Sequence, residues 1–420
     1  MDTTSLNTSR ADSLHHHSRT MGGRDRHEAN RVSTPLELLF DLTFVISFGR
    51  AASQLAHAFA EGHYAAGLLG FAIASFGICW AWTNFTWFAS AYDTDDWIFR
   101  IVTMVQMIGV LVLAVGVPQM FASIEHGEYL DGSVMVLGYV IMRVALVFQW
   151  LRAARQDPAR RRACLKYAVV VSLAQVGWVV LINLHLAVGV TAALIAALAL
   201  VEFAGPILAE REGGGTPWHA HHIAERHGLF AIIALGEGVV GTVAALSAVV
   251  EQQGWTLDAA LVGTAGIGLT FGMWWVYFVL PAAPILHGHR ERAFVWGYSQ
   301  LLIVTAIVAT GAGLDVAAYF IEHTAHISSL ATVLTVAVPV SIFLIMIYAT
   351  YYYLVQRFDP FHIGLLTATA AVVAAAVIAA LSGVGMAVCL VILTVAPVIT
   401  VVGYETRGYR HQAESLSTET

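Results

Sequence analysis

Four ionisable side chains interrupt long apolar runs of this sequence: Arg50, Arg143, Glu202 and Glu237. A charge deep in a bilayer is costly, so such residues pair with one another or face a water-filled interior. Two of the four are basic and two are acidic, so all of them can be paired. Gly236 and Gly238 flank Glu237, and small neighbours permit close helix approach or expose backbone to a ligand. We predict a structural ion pair for Arg143 and Glu202, and a proton- or substrate-coupling role for Glu237.

The segment that contains Arg50 also carries a polar stripe. Its members recur at steps of four and three residues: Thr43, Ser47, Arg50, Gln54, His57 and Glu61. On an α-helix this spacing places them on one face, which is then unsuited to lipid. Arg50 and Glu237 each lie near the middle of an apolar segment, and we expect them to form an ion pair at the centre of the molecule. Gln54, Ser47 and Thr43 complete this predicted central polar group.

A second group of polar residues lies at the ends of apolar segments: Glu37, Asp41, Asp95, Asp96, His222, Glu225 and Arg226. Gathered together, they would form an acid–base or metal site. His219, His221, His222, Glu225 and His227 are the only metal-like cluster. Their spacing is a poor match to helical zinc motifs, and a hydrogen-bonding helix cap explains them equally well. We therefore predict no metal, and the absence of a Gly-rich phosphate loop predicts no cofactor.

The amino-acid composition indicates whether the chain folds in water or in a membrane. Of its 420 residues, 58% are apolar and only 12% are charged, and the mean hydropathy is +0.71. Soluble domains carry roughly 25% charged residues. The chain is therefore predicted to be an all-α polytopic membrane protein with the lipid bilayer as its partner. The net charge of −7 excludes a basic nucleic-acid binder, and three separated cysteines offer no disulfide framework.

Twelve apolar segments are long enough to cross a ~30 Å hydrocarbon core. They are residues 37–60, 65–88, 98–121, 132–153, 163–184, 187–209, 222–249, 257–280, 293–314, 328–354, 361–381 and 384–404. Residues 1–35, which include the run His15, His16 and His17, are polar and predicted to be a disordered cytosolic tail. The same holds for residues 405–420.

The basic residues predict the orientation, because Lys and Arg are retained on the cytoplasmic side. Alternate boundaries carry Arg100, Arg152 to Lys166, Arg290 and Arg357, whereas the others carry acidic residues such as Glu125 and Glu322. Both termini are therefore predicted to be cytoplasmic, in a multi-pass protein of the inner (plasma) membrane.

Two stretches of the chain resemble each other at an offset of 188 residues. Residues 37–45 read ELLFDLTFV and residues 225–233 read ERHGLFAII. The segments that follow them end in similar aromatic runs, at 80–87 and 274–278. Six segments separate the copies, so both have the same orientation. This predicts two pseudo-symmetric six-helix halves, 36–210 and 222–404, joined by a cytosolic linker at 211–221, in a major-facilitator-like arrangement.

At several of these positions the sequence resembles the bacterial low-temperature-requirement A family, membrane proteins named for a cold-growth phenotype. The matching segments are residues 37–45 (ELLFDLTFV), 82–87 (WTNFTW), 93–96 (DTDD), 200–206 (LVEFAGP), 222–230 (HIAERHGLF) and 235–238 (LGEG). They span both halves. The family most often has a serine where this chain has Gly238. The resemblance implies the fold but no settled substrate.

Three functions remain open on this sequence. A secondary transporter, coupled to protons or ions and moving an unknown small solute or lipid-like molecule, is favoured by the two halves and the mid-depth charges. A membrane-embedded enzyme acting on a lipid or isoprenoid carrier would use the polar residues at the helix ends. A non-catalytic membrane protein that supports growth at low temperature is the third alternative.

Overall fold

Twelve long helices make up the protein in a computed structural model, which describes residues 18–25, 28, 31–127, 129–357 and 359–410. They are α1 (Pro35–Ala60), α2 (Tyr64–Tyr92), α3 (Trp97–His126), α4 (Ser133–Gln156), α5 (Arg161–Asn183), α6 (Val188–Glu210), α7 (Ala220–Gln253), α8 (Leu257–Phe278), α9 (Ala293–Ile321), α10 (Ser329–Val355), α11 (Pro360–Leu381) and α12 (Met386–Gly403). A short helix, Ala282–Gly288, lies between α8 and α9. The described residues contain no strand, and the predicted all-α class and its twelve helices are confirmed.

Eleven of the long helices are long and apolar enough to cross a membrane. The exception is α1, whose sequence contains the charged residues Glu37, Asp41 and Arg50. With 26 residues, α1 is nevertheless ~39 Å long at 1.5 Å per residue. It packs against four other helices, α2, α3, α7 and α9, so much of its surface meets protein.

Side-chain caps explain where several helices begin. Thr34 and Glu37 form a capping box at the start of α1, in which each side chain bonds the backbone N–H of the other residue. Asp96 accepts the N–H of Phe99 at the start of α3, and Ser328 accepts the N–H of Ala331 at the start of α10. Each cap satisfies a backbone donor that has no partner within the helix.

The centre of the molecule is formed by α1, α7 and α9. Helix α9 packs closely on α7, and α1 contacts both of them. Glycines allow the close approach of α7 and α9: a Cβ atom at Gly241 would lie 2.5 Å from the carbonyl oxygen of Gly311. The first six helices therefore meet the last six mainly through α1.

The segment before α1 lies across the ends of several helices. The N–H of Met21, a residue 1% exposed, donates to Gln156 at 2.8 Å, and the N–H of Arg24 donates to the carbonyl of Ala91 at 2.9 Å. The carbonyl of Glu28 contacts the His219 ring at 3.0 Å. These contacts are not expected of a disordered tail. His15, His16, His17 and residues 411–420 of the predicted tails lie outside the described residues.

Candidate functional site

Two buried pairs of polar side chains join α1 to α7, and we call these four residues the polar cluster. Glu37 Oε1 lies 3.1 Å from His222 Nε2, and Asp41 Oδ1 lies 2.6 Å from Arg226 Nη2. None of the four side chains is more than 1% exposed. In both helices the two residues are four positions apart, so they share a face. The pairs follow each other in the same order along α1 and α7, which are therefore parallel here.

Aromatic residues of α2 and α7 enclose the polar cluster. Trp82 donates its indole N–H to Asp41 Oδ1 at 2.7 Å. The Trp82 ring stacks on Phe230 with 4.0 Å between ring centres and meets His227 edge-on at 4.9 Å. Both donors to Asp41, the charged Arg226 and the neutral Trp82, therefore meet the same carboxylate oxygen, Oδ1.

Outside the helices, Arg31 and Asp93 extend this polar region. Arg31 is 5% exposed and donates from Nη2 to the carbonyl of Ala89 at 2.9 Å. Burial raises the pKa of Asp93 to about 7, and the charge of Glu37 adds to the rise. Asp93 can therefore exchange a proton near neutral pH, one position beyond the end of α2.

Three residues predicted to join this group lie elsewhere. Asp95 pairs with Arg100 at 2.8 Å, and Asp96 pairs with Arg152 of α4. Burial alone would raise the pKa of Asp96, but hydrogen bonds from Arg152 and from the N–H of Phe99 hold it below its usual value. Glu225 is exposed, because on α7 it lies off the face shared by His222 and Arg226. The expected seven-residue group is thus wrong in extent.

Arg143 and Glu202 form the expected ion pair, with Arg143 Nη2 3.3 Å from Glu202 Oε2. Both side chains are at most 3% exposed. Three ring donors complete the carboxylate's coordination: Trp80 at 2.8 Å, Tyr139 at 3.0 Å and Trp178 at 3.1 Å. A carboxylate with this many donors from α2, α4 and α5 is held firmly, as a structural role requires.

Glu237 has a different environment. It is 6% exposed, yet no described residue donates a hydrogen bond to it. A Cβ atom at Gly49 of α1 would lie 3.5 Å from Glu237 Oε1, and one at Gly311 of α9 would lie 2.8 Å from Glu237 Cβ. The carboxyl group therefore lies where α1, α7 and α9 meet, between glycines.

The expected ion pair of Glu237 with Arg50 is wrong. No described cation lies within ion-pair distance of Glu237, and the Arg50 side chain is exposed, on the same stripe of α1 as Leu42 and Ile46. Arg50 follows Gly49 by one residue, or about 100° around the helix, so it points away when Gly49 meets α7.

The other predicted members of the central polar group are distributed around α1. Ser47 is fully buried, with its hydroxyl 3.5 Å from the carbonyl of Val110. Thr43 bonds to its own helix, at the carbonyl of Phe40, and Gln54 is half-buried. The stripe therefore does not line one common cavity.

Asp315 was missed by the sequence reasoning. It is half-buried on α9. A Cβ atom at Gly241, one turn after Glu237, would lie 3.3 Å from the backbone nitrogen of Asp315. Since Gly311 lies against Glu237, the two carboxyl groups are offset by about one helical turn along the α7–α9 contact. Asp315 comes just beyond the predicted end of this helix at 314, whereas the helix continues to Ile321.

Two cavities accompany these groups. One of about 690 Å³ lies at the start of α7, and Glu225 and His221 are among the residues that line it. The other, of about 540 Å³, is apolar and lies between α1, α2, α9 and α10; neither Arg50 nor Glu237 lines it. Among the described residues, no three His, Cys, Asp or Glu side chains are arranged to hold a metal ion.

Comparison with known proteins agrees with this architecture. Residues 32–397 match the family model described as bacterial low temperature requirement A protein (LtrA). The chain belongs to the LtrA family. It is 26% identical over 319 residues to "Uncharacterized protein RA0937" of Rhizobium meliloti (strain 1021), which covers 70% of this chain and 71% of that protein. No solved structure matches the chain.

The part of the chain that matches the LtrA family contains the polar cluster, the Arg143–Glu202 pair and Glu237. It also contains Gly238, the position at which the family resemblance leads one to expect serine. A Cβ atom there would lie 2.5 Å from the Thr270 hydroxyl of α8. The glycine of this chain is therefore explained by the close packing of α7 against Thr270.

Proposed function

We propose that this LtrA protein is a secondary transporter, coupled to protons or ions, that moves a small solute or lipid-like molecule. Glu237 is the proposed coupling residue. The observation that carries the proposal is a carboxyl group that is 6% exposed, lies at the junction of α1 with α7 and α9, and receives no hydrogen bond from the described residues. Intramembrane acids of this kind mark ion and proton pathways.

The contrast with the other buried acids supports a coupling role. Glu202 receives four donors, and Asp41 is held by Arg226 and Trp82. Glu237 lacks such partners, so binding or release of a proton or cation there breaks no structural contact. Asp315 provides a second carboxyl group about one helical turn away along the α7–α9 contact, toward the C-terminal end of α9.

Two six-helix halves, 36–210 and 222–404, are part of the proposal. Both halves pack in the same order: α1 on α2 and α3, then α3 on α4, and correspondingly α7 on α8 and α9, then α9 on α10. Rocking of such halves would expose Glu237 alternately to each side. The contact between the halves is not itself symmetric, because α1 packs on α9 while α3 has no comparable contact with α7.

We further propose that both termini are cytoplasmic. The helix ends that we assign to the outer side carry acidic residues that contact histidines. His63 Nδ1 lies 2.7 Å from Glu125 Oε1, and His326 Nδ1 lies 2.9 Å from Glu61 Oε2. A single cysteine at Glu125 or at Glu322 should react with an impermeant maleimide in intact cells, and one at Arg160 should not. Reaction at Arg160 would reverse the orientation.

The enzyme alternative needs the polar residues at the helix ends to share a pocket. Of the seven residues predicted for it, Glu225 alone lines the cavity of about 690 Å³. Glu37, Asp41, His222 and Arg226 are engaged with one another in buried pairs instead. This distribution favours transport.

Proteoliposomes test the transport proposal. Purified protein is reconstituted with a pH-sensitive dye inside, a pH gradient is imposed, and inorganic cations, amino acids, sugars, organic cations and fatty acids are added in turn. We expect at least one class to dissipate the gradient with the wild type and not with Glu237→Gln. If no solute in this panel moves protons in a Glu237-dependent way, the proposal is rejected.

A further inference from the structure

The cavity at the start of α7 contains buried hydrogen-bond donors and a carboxylate that belong neither to the proposed transport site nor to the polar cluster. Its volume is about 690 Å³, within the range of small-molecule sites. It lies between the start of α7, the end of α8, the short helix Ala282–Gly288 and the segment before α1. The residues that line it include Glu28, Arg31, His219, Glu225, Phe278 and Trp296.

Two lining residues are buried donors with unused capacity. Arg31 is 5% exposed, and its Nε has no hydrogen-bond partner among the described residues, although Nη2 bonds to Ala89. Trp296 is 2% exposed, and its indole N–H likewise has no partner in the described part of the chain. Buried donors are normally paired. A cation and a neutral N–H that both line the cavity are suited to a phosphate or carboxylate oxygen.

The exposed side of the cavity offers the opposite charge. Glu225 is exposed and accepts only a long bond, 3.4 Å, from the N–H of Ser33. The other carboxylate of the lining, Glu28, is neutralised by Arg24 at 2.8 Å. Burial lowers the pKa of His219, so this imidazole adds no positive charge at neutral pH. Glu225 is therefore suited to an ammonium group.

The lining also includes apolar residues, one of which reaches the molecular surface. Leu280, Ala282 and Ala283 line it together with Phe278, whose side chain is 45% exposed. Phe278 belongs to the aromatic run that ends α8, and such aromatic belts lie at headgroup level. An apolar chain attached to a ligand in this cavity can pass along Phe278 into lipid.

We propose that this cavity binds the headgroup of a zwitterionic phospholipid, with the phosphate toward Arg31 and Trp296 and the ammonium toward Glu225. Ethanolamine phospholipid fits best, because its primary ammonium can donate hydrogen bonds to the Glu225 carboxylate. The acyl chains lie along Phe278. This site does not depend on a transport function of Glu237.

Native mass spectrometry of the delipidated full-length protein tests the site. The probes are phosphatidylethanolamine, phosphatidylglycerol and water-soluble O-phosphoethanolamine. We expect phosphatidylethanolamine to bind at least about tenfold more tightly than phosphatidylglycerol, since only the former gives Glu225 a charge-assisted hydrogen bond. Free O-phosphoethanolamine should bind more weakly than the lipid because it lacks the apolar contacts.

Variants assign the binding to this cavity. Glu225→Gln, at an exposed position that folding tolerates, should abolish the preference for phosphatidylethanolamine, whereas Arg31→Gln should weaken both lipids. Glu212→Gln, at a half-buried acid outside the lining that pairs with Lys166, is the control and should bind as the wild type does. Equal binding of both lipids by the wild type, or an unchanged preference in Glu225→Gln, overturns the proposal. Binding of free O-phosphoethanolamine as tightly as the lipid overturns the lipid as its source.

Discussion

Arg226→Ala is expected to destabilise the protein severely, by about 3–5 kcal/mol. Arg226 is fully buried and its Nη2 lies 2.6 Å from Asp41 Oδ1. Its removal leaves the Asp41 carboxylate buried, with the Trp82 N–H as its remaining hydrogen-bond donor among the described residues. A buried charge without its partner is costlier than the loss of the attraction itself. Thermal unfolding in detergent, followed by the monodisperse fraction on size-exclusion chromatography, measures the loss.

The double variant Asp41→Asn with Arg226→Gln provides the internal check. Because it removes both charges, it should be more stable than Arg226→Ala alone. Together with the single variants Asp41→Asn and Arg226→Gln, it completes a cycle that measures the coupling energy of the pair. Lys166→Ala breaks the exposed pair with Glu212 and should cause no measurable loss. A double variant as unstable as Arg226→Ala would mean that packing around Trp82, rather than charge, sets the effect.

The sequence predicted much of this fold because apolar runs and basic boundaries are local signals. All twelve long helices were found, most of them within a few residues of their ends. The pairing of Arg143 with Glu202 followed from the rule that intramembrane charges of opposite sign seek each other. The meeting of Glu37 and Asp41 with His222 and Arg226 followed from their positions at helix ends.

The partners of Glu237 were not predictable in the same way. Periodicity shows that Arg50 shares a face with other polar residues of α1, but not which face meets α7. The structure gives that contact to Gly49, a residue without a side chain. The predicted segment ended at 314, which placed Asp315 outside the helix, whereas α9 continues to Ile321. Contacts made by glycine cannot be predicted from side-chain chemistry, because glycine has no side chain.

Glu237→Gln is expected to abolish pH-dependent function while leaving the protein folded. The amide has the size of the carboxyl group, and no described hydrogen bond to Glu237 is lost. A null strain complemented with each variant is grown in the cold at several external pH values, because cold growth is the phenotype for which the family is named. We expect a loss of complementation of at least about tenfold, because an amide cannot replace an acid that carries the coupled proton. No dependence on pH should remain.

The matched control is Glu251→Gln, the same change in the same helix at an exposed position near the end of α7. It should complement as the wild type does. Asp315→Asn distinguishes the role of Asp315 from that of Glu237. If both carboxyl groups participate, this variant should weaken complementation and alter its pH dependence without abolishing complementation. Dicyclohexylcarbodiimide, an apolar reagent that modifies protonated carboxyl groups, should label Glu237 in membranes. A Glu237→Gln protein that still supports cold growth across pH would exclude Glu237 as the coupling residue, because an amide cannot exchange the proton that the proposed cycle requires.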